Sequence, residues 1–165
     1  MRIRAFCVGG TIDKIYFDAN SKYEIGAPAL SKMLNELPVH LDIEVSSLMA
    51  KDSLDMDDDD RALIAHAVRH CDESRIVITH GTDTMTQTAQ ALGKPAGKTI
   101  VLTGALQPAI FKNSDAMFNL GGALAAVQSL PEGVYIVMNG EVFDALKVRK
   151  DVANNRFMLV DESKS

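Results

Sequence analysis

The sequence has no tryptophan, only two cysteines, three tyrosines and five prolines in 165 residues. Cys7 lies in an apolar run and Cys71 closes a helical pattern, so neither has a partner at a recognisable spacing. That excludes a disulfide framework and a thiolate zinc pattern. Basic charge is scarce too: 17 Lys plus Arg against 22 Asp plus Glu leave a net charge of −5. With no basic cluster, nucleic-acid binding is disfavoured. No stretch reaches the roughly 18 apolar residues that span a bilayer. The apolar run after Met1 stops at Gly9-Gly10, too short for the core of a signal peptide. A cytoplasmic location is the expectation.

The rest of the composition is that of an ordinary globular chain, 47% apolar and 24% charged with a mean hydropathy of +0.02. A single domain over residues 1–165 is expected, burying roughly 70% of the surface of its unfolded form. β-rich runs at 3–8, 41–48, 75–79, 99–103 and 134–138 read as strands, several of them near-continuous apolar runs of the kind buried on both faces. Helical patterns fall between them. After Pro28, Leu30, Met33, Leu34 and Leu37 recur at helical spacing until Pro38. Asp55 and the run Asp57 to Asp60 precede Leu63, Ile64, Ala67 and Val68, which places the carboxylates at a helix start, where the macrodipole favours them. A calcium site is the alternative reading of that run. A further helix over 113–130 buries Ala116, Leu120, Ala123, Leu124 and Val127, with Gly121-Gly122 permitting close packing. The alternation predicts an α/β fold, an open, mostly parallel, Rossmann-like sheet with helices on both faces in three α/β/α layers.

Two motifs are misleading. Gly93-Lys94-Pro95-Ala96-Gly97-Lys98-Thr99 is one residue short of a phosphate-binding loop, and it follows a helix and enters a strand, the reverse of the order that motif needs. His66 and His70 share a helix face, but no Glu stands beside the first His as a zinc-protease helix requires. No metal site is expected. Three polar, glycine-containing loops follow strands instead: Gly9-Gly10-Thr11-Ile12-Asp13, Thr79-His80-Gly81-Thr82-Asp83-Thr84-Met85 and Thr103-Gly104-Ala105-Leu106-Gln107-Pro108. Capping alone could account for Thr82, Asp83 and Thr84. Ligands of open parallel sheets bind outside the carboxyl ends of the strands, so three such loops predict one shared site.

Gly9-Gly10-Thr11-Ile12 after an N-terminal strand, together with His80-Gly81-Thr82-Asp83-Thr84-Met85, resembles the two signatures of the bacterial-type L-asparaginase family. Supporting stretches are similar to that family as well: Asp52-Ser53-Leu54-Asp55-Met56, the Thr103 to Pro108 loop, Ser114-Asp115 with Asn119-Leu120, and Val137 to Val142. The resemblance spans the chain but corresponds to the family's N-terminal domain alone, and the C-terminal domain is expected to be absent.

The resemblance implies hydrolysis of a side-chain amide through a threonine acyl-enzyme, with release of ammonia. The substrate would be L-asparagine, L-glutamine or a related small amide. Thr11 matches the nucleophile. Tyr23, flanked by Ser21-Lys22 and Glu24-Ile25-Gly26, matches the tyrosine of an N-terminal β-hairpin lid, with Tyr16 its rival by proximity. Thr82, Asp83 and Lys150 match a second triad, and Ser53 matches a residue that grips the substrate's α-carboxylate. Gly10, Gly81 and Ala105 are likewise assigned to substrate contact. A threonine hydroxyl needs a nearby base, and backbone N–H groups of the glycine loops suit the developing oxyanion. No cofactor is implied. In the two-domain family an acid from a neighbouring subunit's C-terminal domain completes the site; this chain is expected to lack that segment, and a homo-oligomer, at least a dimer, is expected to supply another group. The rival expectations are a catalytically weak or inactive amino-acid-binding protein of the same fold and a deamidating component of a larger complex.

Overall fold

The computed structural model describes residues 1–160, so the last five positions of the expected 1–165 unit lie outside the described residues. In chain order the elements are β1 (Arg2–Gly9), a 3-10 turn (Thr11–Asp13), β2 (Lys14–Phe17), a second 3-10 turn (Asp18–Asn20), β3 (Lys22–Ile25), α1 (Ala29–Glu36), β4 (Asp42–Lys51), a third 3-10 turn (Ser53–Asp55), α2 (Asp58–His70) and β5 (Arg75–Thr79). They continue with α3 (Met85–Leu92), β6 (Thr99–Thr103), α4 (Ala116–Ser129), β7 (Gly133–Met138), β8 (Glu141–Asp144), β9 (Val148–Asp151) and β10 (Arg156–Leu159).

Six strands form one sheet in the order β4-β1-β5-β6-β7-β8. All neighbours are parallel except the antiparallel pair β7 and β8. The central strands carry apolar side chains on both sides. Ile76, Ile78, Ile100 and Leu102 pack with Ile64, Val68, Met85 and Ala89 of α2 and α3. Val77 and Val101 point the other way, to Leu30 and Met33 of α1 and to Leu120 and Ala123 of α4. Helices therefore cover both faces, and the continuous apolar strands follow from that.

The acidic run before α2 is a helix start. Asp57 accepts from the Asp60 amide at 2.9 Å and Asp60 accepts from the Asp57 amide at 3.1 Å, a reciprocal capping box. Asp60 also takes the Lys51 ammonium at 2.7 Å, which moors the end of β4 to α2. The inward face of α2 is Arg61, Ile64, Ala65 and Val68, while Leu63 is 48% exposed. The helix expected from 113 starts at Ala116 because Asp115 accepts the loop amides of Leu106 and Gln107, while Ser114 Oγ donates to the Gln107 carbonyl and accepts from the Ala116 amide. Of the two glycines in α4, Gly122 faces Val137 closely and Gly121 faces open space.

Two hairpins stand outside the main sheet. The first, β2 with β3, pairs Lys14 with Ile25 and Tyr16 with Tyr23. The second, β9 with β10, pairs Lys150 with Phe157 and has no counterpart in the strands read from sequence. No helix among the described residues is long and apolar enough to cross a membrane.

Candidate active site

The carboxyl ends of β1, β4, β5 and β6 converge, and glycine lets them touch. Gly10 has φ +91°, and a Cβ there would lie 2.4 Å from the Gly81 nitrogen. Gly81 in turn leaves no room on its other side, where a Cβ would meet the Ser53 side chain at 2.6 Å. Close backbone approach of this kind is open to glycine alone. The Gly10 amide also donates to the Lys51 carbonyl at 2.9 Å. Thr11 and Thr82 thus follow directly on two glycines in mutual contact, and Ser53 is buried beneath them at 1% exposure.

Lys150 reaches this junction from β9. Its Nζ donates to Thr82 Oγ1 at 2.7 Å and to Asp83 Oδ1. The lysine side chain is 7% exposed and that of Asp83 39%, so the cation is drawn inward while its carboxylate partner meets solvent. Lys150 therefore meets the adjacent pair Thr82 and Asp83 from a distant part of the chain. Thr84 Oγ1 donates to the Ser53 carbonyl at 2.8 Å, which fastens the second signature loop to the Ser53 turn.

Tyr23 is not part of that cluster. It stands on β3, half exposed, with its ring edge-on to Tyr16 at 5.5 Å and to Phe111 at 5.8 Å. No hydrogen bond joins it to Thr11, Thr82, Asp83 or Lys150 among the described residues. Beside it, between the hairpin and the end of β4, opens a cleft of about 570 Å³ lined by Lys14, Tyr23, Glu24, Lys51 and Asp52 among others. Lys14 pairs with Asp52 across this cleft at 3.0 Å. Another cavity, of about 310 Å³ between α1 and the 109–117 segment, touches none of the site residues named above.

Several supporting residues lie within the motifs quoted from the sequence, which assigned them no role. His80 is fully buried; its Nδ1 donates to the Gly81 carbonyl and its Nε2 accepts from Thr88 Oγ1, both at 2.7 Å, in the tautomer those partners require. Burial pushes its pKa down to about 4, so the ring is neutral and serves to hold the loop. Asp13 is 3% exposed, and burial pushes its carboxyl up to about 6. Asn119 donates to the Gly104 carbonyl at 3.0 Å and accepts from the Asn139 amide at 3.0 Å. With Asp115, which takes the amides of Leu106 and Gln107, it ties the loop carrying buried Ala105 to the turn after β7.

Among the described residues, no three or more His, Cys, Asp or Glu side chains cluster as metal ligands. The His66 and His70 rings stack at 3.9 Å on the exposed face of α2, and His70 Nδ1 hydrogen-bonds to the His66 carbonyl oxygen at 2.8 Å.

The chain is 33% identical over 159 residues to a probable periplasmic L-asparaginase of Haemophilus influenzae, covering 90% of this chain and 46% of that protein. It is 39% identical over 82 residues to a glutaminase-asparaginase of Acinetobacter glutaminasificans, 47% of this chain and 25% of the other. Its structure matches the thermostable L-asparaginase of Thermococcus kodakarensis with a TM-score of 0.83 at 26% identity, over 97% of this chain and 51% of that one. The chain thus spans about half the length of the full-length L-asparaginases it matches. A model of the asparaginase N-terminal family matches residues 2–162, and the chain belongs to that family.

Proposed function

We propose that the protein hydrolyses the side-chain amide of L-asparagine, L-glutamine or a related small amino-acid amide, through an acyl-enzyme on Thr11. The observation that carries this reading is Lys150 Nζ on Thr82 Oγ1 at 2.7 Å, with Asp83 as its other partner, directly beside the glycine junction that holds Thr11. The Thr11 hydroxyl adds to the amide carbon and gives up its proton. The carbonyl oxygen becomes an oxyanion facing backbone N–H groups of the glycine loops. Ammonia leaves with a proton, and water then cleaves the ester to release the acid and restore Thr11. Thr82 and Lys150 form the relay that moves these protons, and Asp83 keeps the lysine in place. Tyr23 joins them when the β2–β3 hairpin closes as a lid over the cleft. Ser53, Gly10, Gly81 and Ala105 shape the substrate's seat.

A second reading rests on Tyr23, which packs on Phe111 rather than on the Thr11 turn. A hairpin that never closes would leave an amino-acid-binding protein with little turnover. The experiment that separates the two is ammonia release from L-asparagine, L-glutamine and D-asparagine, with melting curves recorded in the same ligands. Release lost in Thr82→Ala supports the hydrolase; stabilisation by ligand with no release supports the binding protein. We place the protein in the cytoplasm, since Cys7 and Cys71 are both free thiols, and as a homo-oligomer, at least a dimer.

A further inference from the structure

Asp13 joins three elements by itself. It ends the 3-10 turn that begins with Thr11, and its amide donates to the Gly10 carbonyl at 3.1 Å. Its own carbonyl accepts from the Gly26 amide at 2.8 Å, which adds one bond to the base of the β2–β3 hairpin just outside the Lys14–Ile25 pair. Its carboxylate Oδ1 accepts from the Ala29 amide at 2.8 Å. Ala29 opens α1 behind Pro28, which has no side-chain group to cap the helix. The cap comes instead from a residue sixteen positions earlier in the chain, where a serine or aspartate in place of Pro28 would have served locally.

The cost of this arrangement marks it as more than a cap. The carboxyl is buried at 3% exposure against a single backbone amide, and burial raises its pKa to about 6. Among the described residues no cation offsets it: Lys14 is paired with Asp52, Lys32 of α1 with Glu36, and the nearby Cys7 thiol, itself pushed up to about 11, is neutral. Buried carboxyls with displaced titration gather at working sites.

We propose that Asp13 is a positioning residue, which fixes the Thr11 turn and the base of the β2–β3 hairpin to the start of α1 so that the nucleophile and the hinge end of the lid keep one relative geometry. This rests on Thr11 being the nucleophile. A purely structural cap of α1 would act on the helix alone, and the two roles separate experimentally.

The test uses the full chain as Asp13→Ala, Asp13→Asn, and Asp13→Ala combined with Pro28→Ser, which supplies α1 with a local cap. Amide hydrogen exchange at Gly26 and along β3, and steady-state kinetics on L-asparagine, are read in each. In Asp13→Ala the protection of Gly26 and β3 falls at least tenfold while β5 and β6 keep theirs, and kcat falls at least tenfold with KM within about threefold. Asp13→Asn, which keeps the acceptor, restores both. The added Pro28→Ser restores the melting temperature but neither hairpin protection nor kcat. Hairpin protection unchanged in Asp13→Ala, or fully restored by Pro28→Ser, overturns the proposal. If the wild type releases no ammonia, the hydrolase reading fails, and hydrogen exchange alone decides the role of Asp13.

Discussion

At the scale of single residues, the Lys150 ammonium held between Thr82 and Asp83 is the feature with the most chemistry in it. Replacing Lys150 by Ala lowers kcat/KM by about 10²–10⁴, the usual worth of a positioned proton-transfer group. Thr82→Ala has a similar effect, and because the two act as one relay the double variant is little worse than either single one. Additive losses in that kinetic cycle would show that the residues work separately. Gly81 is the residue on which the seat depends. A methyl group there meets the buried Ser53 side chain, so Gly81→Ala costs about 1–3 kcal/mol, measurable by chemical denaturation. Asp13 and His80 give opposite pH dependences. The carboxyl of Asp13 is raised from 3.8 to about 6, so the folded form binds the extra proton and stability falls as pH rises through that window. His80 is lowered from 6.5 to about 4, so stability is lost as pH falls through that window. Asp13→Asn removes only the first. Relative to wild type it gains stability as pH climbs from about 4 to 6, levelling off above about pH 7, and a flat difference profile would contradict the burial of that charge.

At the scale of elements, the box that starts α2 is shared with the site, because Asp60 both receives the Asp57 amide and holds Lys51 at the end of β4. Asp57→Ala costs about 1 kcal/mol, and Asp60→Ala costs more, since it also frees the strand end whose carbonyl receives Gly10; thermal melts of the pair check the order. The core strands β1, β5, β6 and β7 were legible in the sequence because burial on both faces demands unbroken apolar runs, whereas β4, at the sheet edge with no fully buried residue, was read from its β-rich composition. Helix positions followed from periodicity, but the start of α4 did not, since Ser114 and Asp115 are polar residues spent on the preceding loop. The β9–β10 hairpin was not legible by pattern. Each strand has four residues, charged and apolar side chains are mixed, and the two pair only with each other. Lys150 therefore emerged only through the resemblance, since 68 residues separate it from Thr82 and no periodicity spans that distance. Asp13 and His80 stood in the quoted loops, but their roles went unread for a related reason: a buried polar residue in a loop has no pattern, and only its partners reveal what it does.

At the scale of the whole molecule, the chain builds one sheet whose strand ends hold both threonines, within about half the length of the full-length asparaginases it matches. The function proposed above takes the protein as a homo-oligomer. Phe118 on α4 and Val142 on β8 are 65% and 51% exposed, and we expect at least a dimer by sedimentation velocity. A species of 17.9 kDa with full turnover would contradict that expectation.

The most direct measurement is ammonia release from L-asparagine by the purified wild type beside Thr11→Ala, with both shown to be folded by their melting curves. The account predicts release by the wild type and none above background from Thr11→Ala. Equal release by the two would contradict the assignment of Thr11 as nucleophile.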